Sequence, residues 1–226
     1  FTISQATQDA LVISSAGSKV YDSGALTLTT TGGTGDGAVT YAVTNADTAD
    51  CSISGDQLTV TSAAGTSCKV TATKAADTNY TEVSSNEQTI TVVTTPDAPT
   101  LNTITPTTQQ LSAAFTAGGT GGSAITEYRY STDGGTTWLT RQTGTTESPL
   151  VITTLSSDGS TALSNGTSYD VQVRAVNAQG SGTASATVTA TPATTPDAPT
   201  LNTITPGNKQ LSAAFTAGGT GGSAIT

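Results

Sequence analysis

The sequence predicts an all-β chain of tandem β-sandwiches, and three observations carry that expectation. Val, Ile, Leu and Tyr recur at alternate positions in short runs, as do Leu111, Ala113 and Phe115, which is the period of a half-buried strand. Turn-forming Gly, Asn and Asp punctuate those runs at short intervals. Residues Thr94–Thr126 also recur as Thr194–Thr226, with Thr107, Thr108 and Gln109 becoming Gly207, Asn208 and Lys209. The offset of 100 residues is the size of one sandwich domain.

Four segments follow from this punctuation. Residues 1–5 read as the last strand of a preceding module, because Phe1–Ser4 resemble the strand in "QTITVVTTPDAP". Residues 6–93 form a first sandwich. Within it, "KVYDSGALTLTTTGGTGDGAVTYAVT" holds two strands around a Gly-rich turn, and "CSISGDQLTVTS" is a hairpin. "CKVTATKAADTNYTEVSSNEQTITV" supplies two more strands. Residues 94–193 form a second sandwich and 194–226 begin another. Each copy opens with Thr-Thr-Pro-Asp-Ala-Pro, whose prolines lack donors and restrict their neighbours, so it reads as a stiff, extended linker.

Strand pattern is clearest in the second sandwich. "ITEYRYSTDGGTTW" is a strand, an Asp-Gly-Gly turn and the start of the next strand, a hairpin signal. Tyr169, Val171, Val173 and Ala175 share one face, and Asp170, Gln172 and Arg174 the other. Seven short antiparallel strands make a two-sheet sandwich. The spacing of Leu163, Gly166, Thr167, Tyr169, Val171 and Ala175, with the opening Pro-x-x-Pro and Tyr128, resembles a fibronectin type III domain. That resemblance implies a tyrosine corner, in which the Tyr169 hydroxyl bonds back to the turn after Leu163. One departure concerns the core: Phe115 stands where the family usually carries a tryptophan, and the sole Trp is Trp138. The run from Cys68 to Ser85, with "VTATKAADTNY", resembles bacterial immunoglobulin-like repeats of large surface proteins and adhesins. The fold class implied is tandem immunoglobulin-like and fibronectin type III sandwiches in an extended array.

Composition bounds the function. A net charge of −9, with seven basic residues among 226, argues against nucleic acid and anionic membranes, both of which are bound through Lys and Arg. No apolar run is long enough to insert in a bilayer. With no histidine, Ser-His-Asp and Cys-His catalysis cannot arise within the chain. The acids Asp133, Glu147 and Asp158 fall in predicted loops, where turn formation explains them. Gly-rich stretches at "TTGGTGDGAV" and "AGGTGGSAIT" precede strands, whereas a phosphate loop needs a following helix. The chain is therefore expected not to be an enzyme.

Cys51 and Cys68 share faces with Ile53 and Val70. Their spacing fits neither a Cys-x-x-Cys redox pair nor a zinc site. A disulfide between them closes a loop worth roughly 3 kcal/mol and implies an oxidising, extracellular compartment.

No cofactor is expected. The one ion weighed is calcium at the module junctions, near Asp97 and Asp197 or near Asp47 and Asp50. Calcium wants six to eight oxygens, and no Asp-x-Asp-x-Asp-Gly run exists. Asn79 and Asn165 begin Asn-x-Thr sequons, and Lys19, Lys69 and Lys74 are the lysines available for a covalent crosslink in the first sandwich. Trp138 and Arg141, near Tyr128 and Tyr130, are the candidate surface-binding group.

Three functional classes remain. The leading one is a stalk, spacer or filament-forming segment of a secreted, repetitive bacterial surface protein. Its partners are neighbouring modules of the same long chain, and an incomplete module completed by strands of a neighbouring chain is its self-assembling variant. The second is an adhesin module that grips a host or cell-surface glycan or protein through sandwich loops. The third is an accessory linker domain of a polysaccharide-active enzyme, an analogy from fold alone.

Overall fold

The computed structural model describes residues 4–44, 50–62, 67–141 and 143–225. All regular structure among them is β-strand. The chain divides into two compact units, residues 1–94 with 121–123, and residues 95–120 with 124–226.

In the first unit, alternation along β8 (Ser67–Lys74) sets the core. Cys68, Val70 and Ala72 point inward and are fully buried, while Lys69 points out. Its neighbours in a five-stranded sheet are β10 (Gln88–Val93), β5 (Val39–Val43) and the short β9 (Val83–Ser84). The far side of β10 pairs with β2 (Ser18–Val20), and that pairing is parallel. A three-stranded sheet of β3 (Leu26–Thr27), β7 (Gln57–Val60) and β6 (Cys51–Ser54) and a two-stranded pair of β1 (Val12–Ile13) and β4 (Thr30–Thr31) complete the set. Leu11, Ile13, Leu28, Leu58, Val60 and Ile90 join β8 in one core.

Two sequence expectations differ here. The stretch after Cys68 holds three strands rather than two. The Ser85 amide donates to the Ala72 carbonyl and the Ser85 hydroxyl accepts from the Ala72 amide, which holds β9 against β8. Phe1–Ile3 lie outside the described residues, and Ser4 is in no strand. Ala6 instead bridges Tyr80 of the same unit: its amide donates to Asn79 O and its carbonyl accepts from Thr81 N.

The second unit contains a sandwich of two sheets. One is three-stranded, with β11 (Thr100–Thr107), β12 (Gln110–Thr116) and β15 (Leu150–Ile152). The other is five-stranded, with β14 (Leu139–Thr140), β13 (Ile125–Ser131), β16 (Tyr169–Asn177), β17 (Gly180–Ser181) and β18 (Val188–Ala190). Eight strands thus stand where seven are expected, because the last stretch makes two short pairings with β16. Leu111, Ala113 and Phe115 from one sheet meet Tyr128, Tyr130, Val171, Val173 and Ala175 from the other. The Phe115 and Tyr128 rings lie 4.5 Å apart, so phenylalanine packs against tyrosine in this core. Gly135, at φ +92°, closes the β13–β14 turn, and a Cβ there would lie 2.5 Å from Gln172 Oε1.

The Pro-containing stretch is tied down more than a bare linker. The Asp97 amide donates to Gly119 O at 2.9 Å and the Thr183 amide to Pro96 O at 3.3 Å. A Cβ on Gly182 would sit 2.2 Å from that Pro96 oxygen, so only glycine permits the approach.

The second copy repeats this local geometry. β19 (Thr200–Gly207) and β20 (Gln210–Thr216) pair in the register of β11 and β12, with the same irregularity between residues 201 and 203 as between 101 and 103. Asp197 donates to Gly219 O at 2.9 Å, as Asp97 does to Gly119 O. Gln109 and Lys209 share a positive φ, 55° and 58°. What differs is burial. Leu111 is 0% exposed and Leu211 71%; Phe115 is 6% exposed and Phe215 64%. Among the described residues β20 pairs with β19 alone.

Candidate functional site

Cys51 and Cys68 are bonded, with Cα atoms 6.0 Å apart. Cys51 begins β6 and Cys68 lies in β8, so the bond ties the three-stranded sheet to the five-stranded one. Tyr169 reaches back across its turn: its hydroxyl accepts the Ser164 amide at 2.9 Å. Leu163, beside it, is fully buried and donates its amide to Thr153 O. Both features brace the fold.

The candidate acids are turn-formers, all exposed. Asp133 accepts the Ser131 hydroxyl, the Thr137 amide and the Thr137 hydroxyl. Desolvation pushes its carboxyl upward, but the hydrogen bonds from Thr137 and Ser131 outweigh it and hold the pKa below the ordinary value. The Thr161 hydroxyl, then the Ser160 and Thr161 amides, lower Asp158 to about 2. A depressed folded-state pKa contributes stability above the unfolded value, lost as pH falls through the folded value. The Asp158 turn is therefore expected to stay intact at pH 4 and loosen only near pH 2. Titration of the Asp158 carboxyl carbon and the Thr161 amide by NMR checks this; a midpoint near pH 4 would contradict it. The Glu147 backbone carbonyl accepts a bond from Arg141.

No three acidic, His or Cys side chains come together for a metal among the described residues. Asp97 and Asp197 are exposed, Asp50 lies just before β6, and Asp47 lies outside the described residues. Lys19 is buried and donates to Val20 O, Lys74 donates to Gly33 O, and Lys69 forms an ion pair with Glu87 at 3.2 Å. Asn79 is exposed, while Asn165 is half-buried and its side-chain oxygen accepts the Gln109 amide.

The expected grouping of Trp138 with Arg141 does not form. Residues 138 and 141 are an odd number of positions apart, and alternation sends their side chains to opposite faces. Arg141 is 9% exposed; its guanidinium donates to Thr143 Oγ1, Pro149 O and Glu147 O, locking the loop before β15. Tyr128 and Tyr130 belong to the core, where burial raises both hydroxyl pKa values. Trp138 instead donates its indole N–H to Gly135 O and lays its ring over Arg174, with the guanidinium carbon 4.1 Å from the ring centroid.

Arg174 in turn stands directly across the β13–β16 ladder from Arg129. Arg129 bonds Glu127 at 2.6 Å. Arg174 has no carboxylate in ion-pair distance among the described residues, and its Nε is buried without a hydrogen-bond partner. Sequence alternation puts both arginines on outward faces. The strand register that makes them neighbours carries no local signal.

No known family's profile matches the chain, and no curated protein matches it. Solved structures do resemble it. The crystal structure of domains A168–A170 from titin matches over 82% of this chain with a TM-score of 0.50 and 14% identity. The match covers 66% of that chain, just under two thirds of its length. The FN1–FN3 domains of chicken CNTN1 match over 92% of this chain and 74% of theirs, with a TM-score of 0.36 and 15% identity. The chain is all-β, with the immunoglobulin-like and fibronectin type III sandwich fold. Among the described residues no helix is long and apolar enough to cross a membrane.

Proposed function

We propose that this chain is a spacer segment of a long, secreted, repetitive bacterial surface protein, and that it has no catalytic role. The observation that carries the reading is the repeat itself. Thirty of 33 residues recur, and with them recur the hairpin register and the bond from Asp97 or Asp197 to the glycine at 119 or 219. Sequence kept so closely at an offset of 100 residues is what duplication of an interchangeable spacer would leave. The Cys51–Cys68 bond supports an oxidising, extracellular setting. The bacterial assignment rests on the resemblance of the Cys68–Ser85 run to bacterial immunoglobulin-like repeats.

Sandwiches with roughly ten-residue strands at ~3.3 Å per residue add about 35 Å each when placed end to end. Chains extended by one, two and three further 100-residue periods should therefore gain about 35 Å in maximum dimension per period in small-angle scattering. A dimension that stays flat while mass grows would overturn the spacer reading.

A further inference from the structure

We propose that Arg129 and Arg174, with Trp138 as their platform, form a binding site for a carboxylate of an acidic polypeptide segment on the outer face of the β13–β16 sheet. Like charges placed directly across a ladder are destabilising. Arg129 and Arg174 are such a pair, and they are two of only seven basic residues in a chain of net charge −9. The structure relieves them on one side only. Glu127 takes Arg129 through its Nε, at 2.6 Å, while no acidic side chain reaches Arg174 among the described residues.

Trp138 fixes what remains. Its ring lies 4.1 Å from the Arg174 guanidinium carbon, and its indole N–H is held by Gly135 O, so the guanidinium rests on an anchored surface. Gln172, next to Arg174 on the same outward row, is occupied with the Thr187 hydroxyl at 2.9 Å. A planar fork held in one orientation beside a second positive group suits a carboxylate that bridges the two.

Charge complementarity sets the anion, and the Trp138 ring argues for polypeptide over saccharide. Arg174 already occupies one face of that ring, so a sugar has no more than the other face to stack on. A glutamate or aspartate side chain needs only the guanidinium edges, and an extended acidic segment can lie on the sheet face with several carboxylates in reach.

The test uses the 226-residue chain with hexaglutamate as probe, followed by NMR of the Trp138 indole N–H and the arginine Nε–H signals. Hexaglutamate should shift the Trp138, Arg129 and Arg174 signals together, and Arg174→Gln should weaken binding about tenfold, the scale of a charge-assisted hydrogen bond. Arg174→Lys, which keeps the charge without the fork, should fall between them, and Lys69→Gln should bind as the parent does. Removing one of two facing charges should leave thermal unfolding unchanged or slightly raised, which separates lost binding from lost fold. Three results would each overturn the proposal: an unmoved Trp138 signal, equal weakening by Lys69→Gln, or oligogalacturonate binding more tightly than hexaglutamate.

Discussion

Leu111→Ala is expected to destabilise its sandwich by about 2–5 kcal/mol, while Leu211→Ala changes that sandwich's stability by less than about 0.5 kcal/mol. The two leucines occupy equivalent places in nearly identical hairpins: Leu111 faces Pro106 and Leu211 faces Pro206 in the same register. Local sequence, turn conformation and strand pairing are thereby held constant. The remaining difference is the covering sheet. Leu111 is fully buried among Tyr128, Leu150, Ile152 and their neighbours, and Leu211 is 71% exposed. Truncating a buried leucine forfeits its transfer free energy and leaves a cavity; an exposed one has little to lose. Trp138 is the sole tryptophan and lies in this sandwich, so its fluorescence during urea unfolding reads the effect directly. Equal losses from both substitutions would mean that β20 is covered as β12 is.

The same contrast shows what was legible in the sequence. Alternation identified the inward faces of β12 and β16 correctly, because the side-chain period of a strand is fixed by its backbone. It cannot say whether a partner sheet covers that face, which is why Leu111 and Leu211 read alike. Register is the other missing quantity. Arg129 and Arg174 are 45 positions apart in the chain and face each other because of how β13 and β16 align, whereas Trp138 and Arg141 are near in sequence and diverge by alternation. Nearness along the chain suggested Trp138 with Arg141, a pairing that strand register does not enter. The parallel β2–β10 contact was hidden for the same reason: it joins the beginning of the unit to its end, and no turn residue announces it.

Local chemistry was more legible where a short-range bond does the structural work. The resemblance carried by Leu163 and Tyr169 implied a hydroxyl returning to its own turn, and the Tyr169 hydroxyl accepts the Ser164 amide. The Asp-Gly-Gly signal implied a tight turn, and Gly134 and Gly135 sit there at φ +67° and +92°. Such features need only a few consecutive residues. The extra short strands β9 and β17 leave no sequence signal because each is two residues long, below the length at which alternation can be read.

Breaking the Cys51–Cys68 bond is expected to cost the first unit about 3 kcal/mol and to leave the second unit unchanged. The sequence separation is 17 residues, and cross-linking a loop of that size restricts the unfolded chain by about this amount in the chain-entropy model. The bond also joins the two sheets that enclose Leu58, Val70 and Ile90, so its loss lets them separate more readily. A Cys51→Ala/Cys68→Ala double variant is the cleaner test, since a single substitution would strand one thiol. The first unit contains Tyr21, Tyr41 and Tyr80 but no tryptophan, and the second holds Tyr128, Tyr130 and Tyr169 beside Trp138, so tryptophan fluorescence follows the second unit alone and the part of the tyrosine signal that does not track it follows the first. In urea, the tyrosine-reported transition should move to lower concentration while the Trp138 transition stays in place. If reductant shifts neither transition in the parent protein, with complete reduction confirmed by thiol titration, the bond contributes nothing measurable to stability. If both shift together, the two units unfold as one, and the contact division at residue 94 does not mark independent folding.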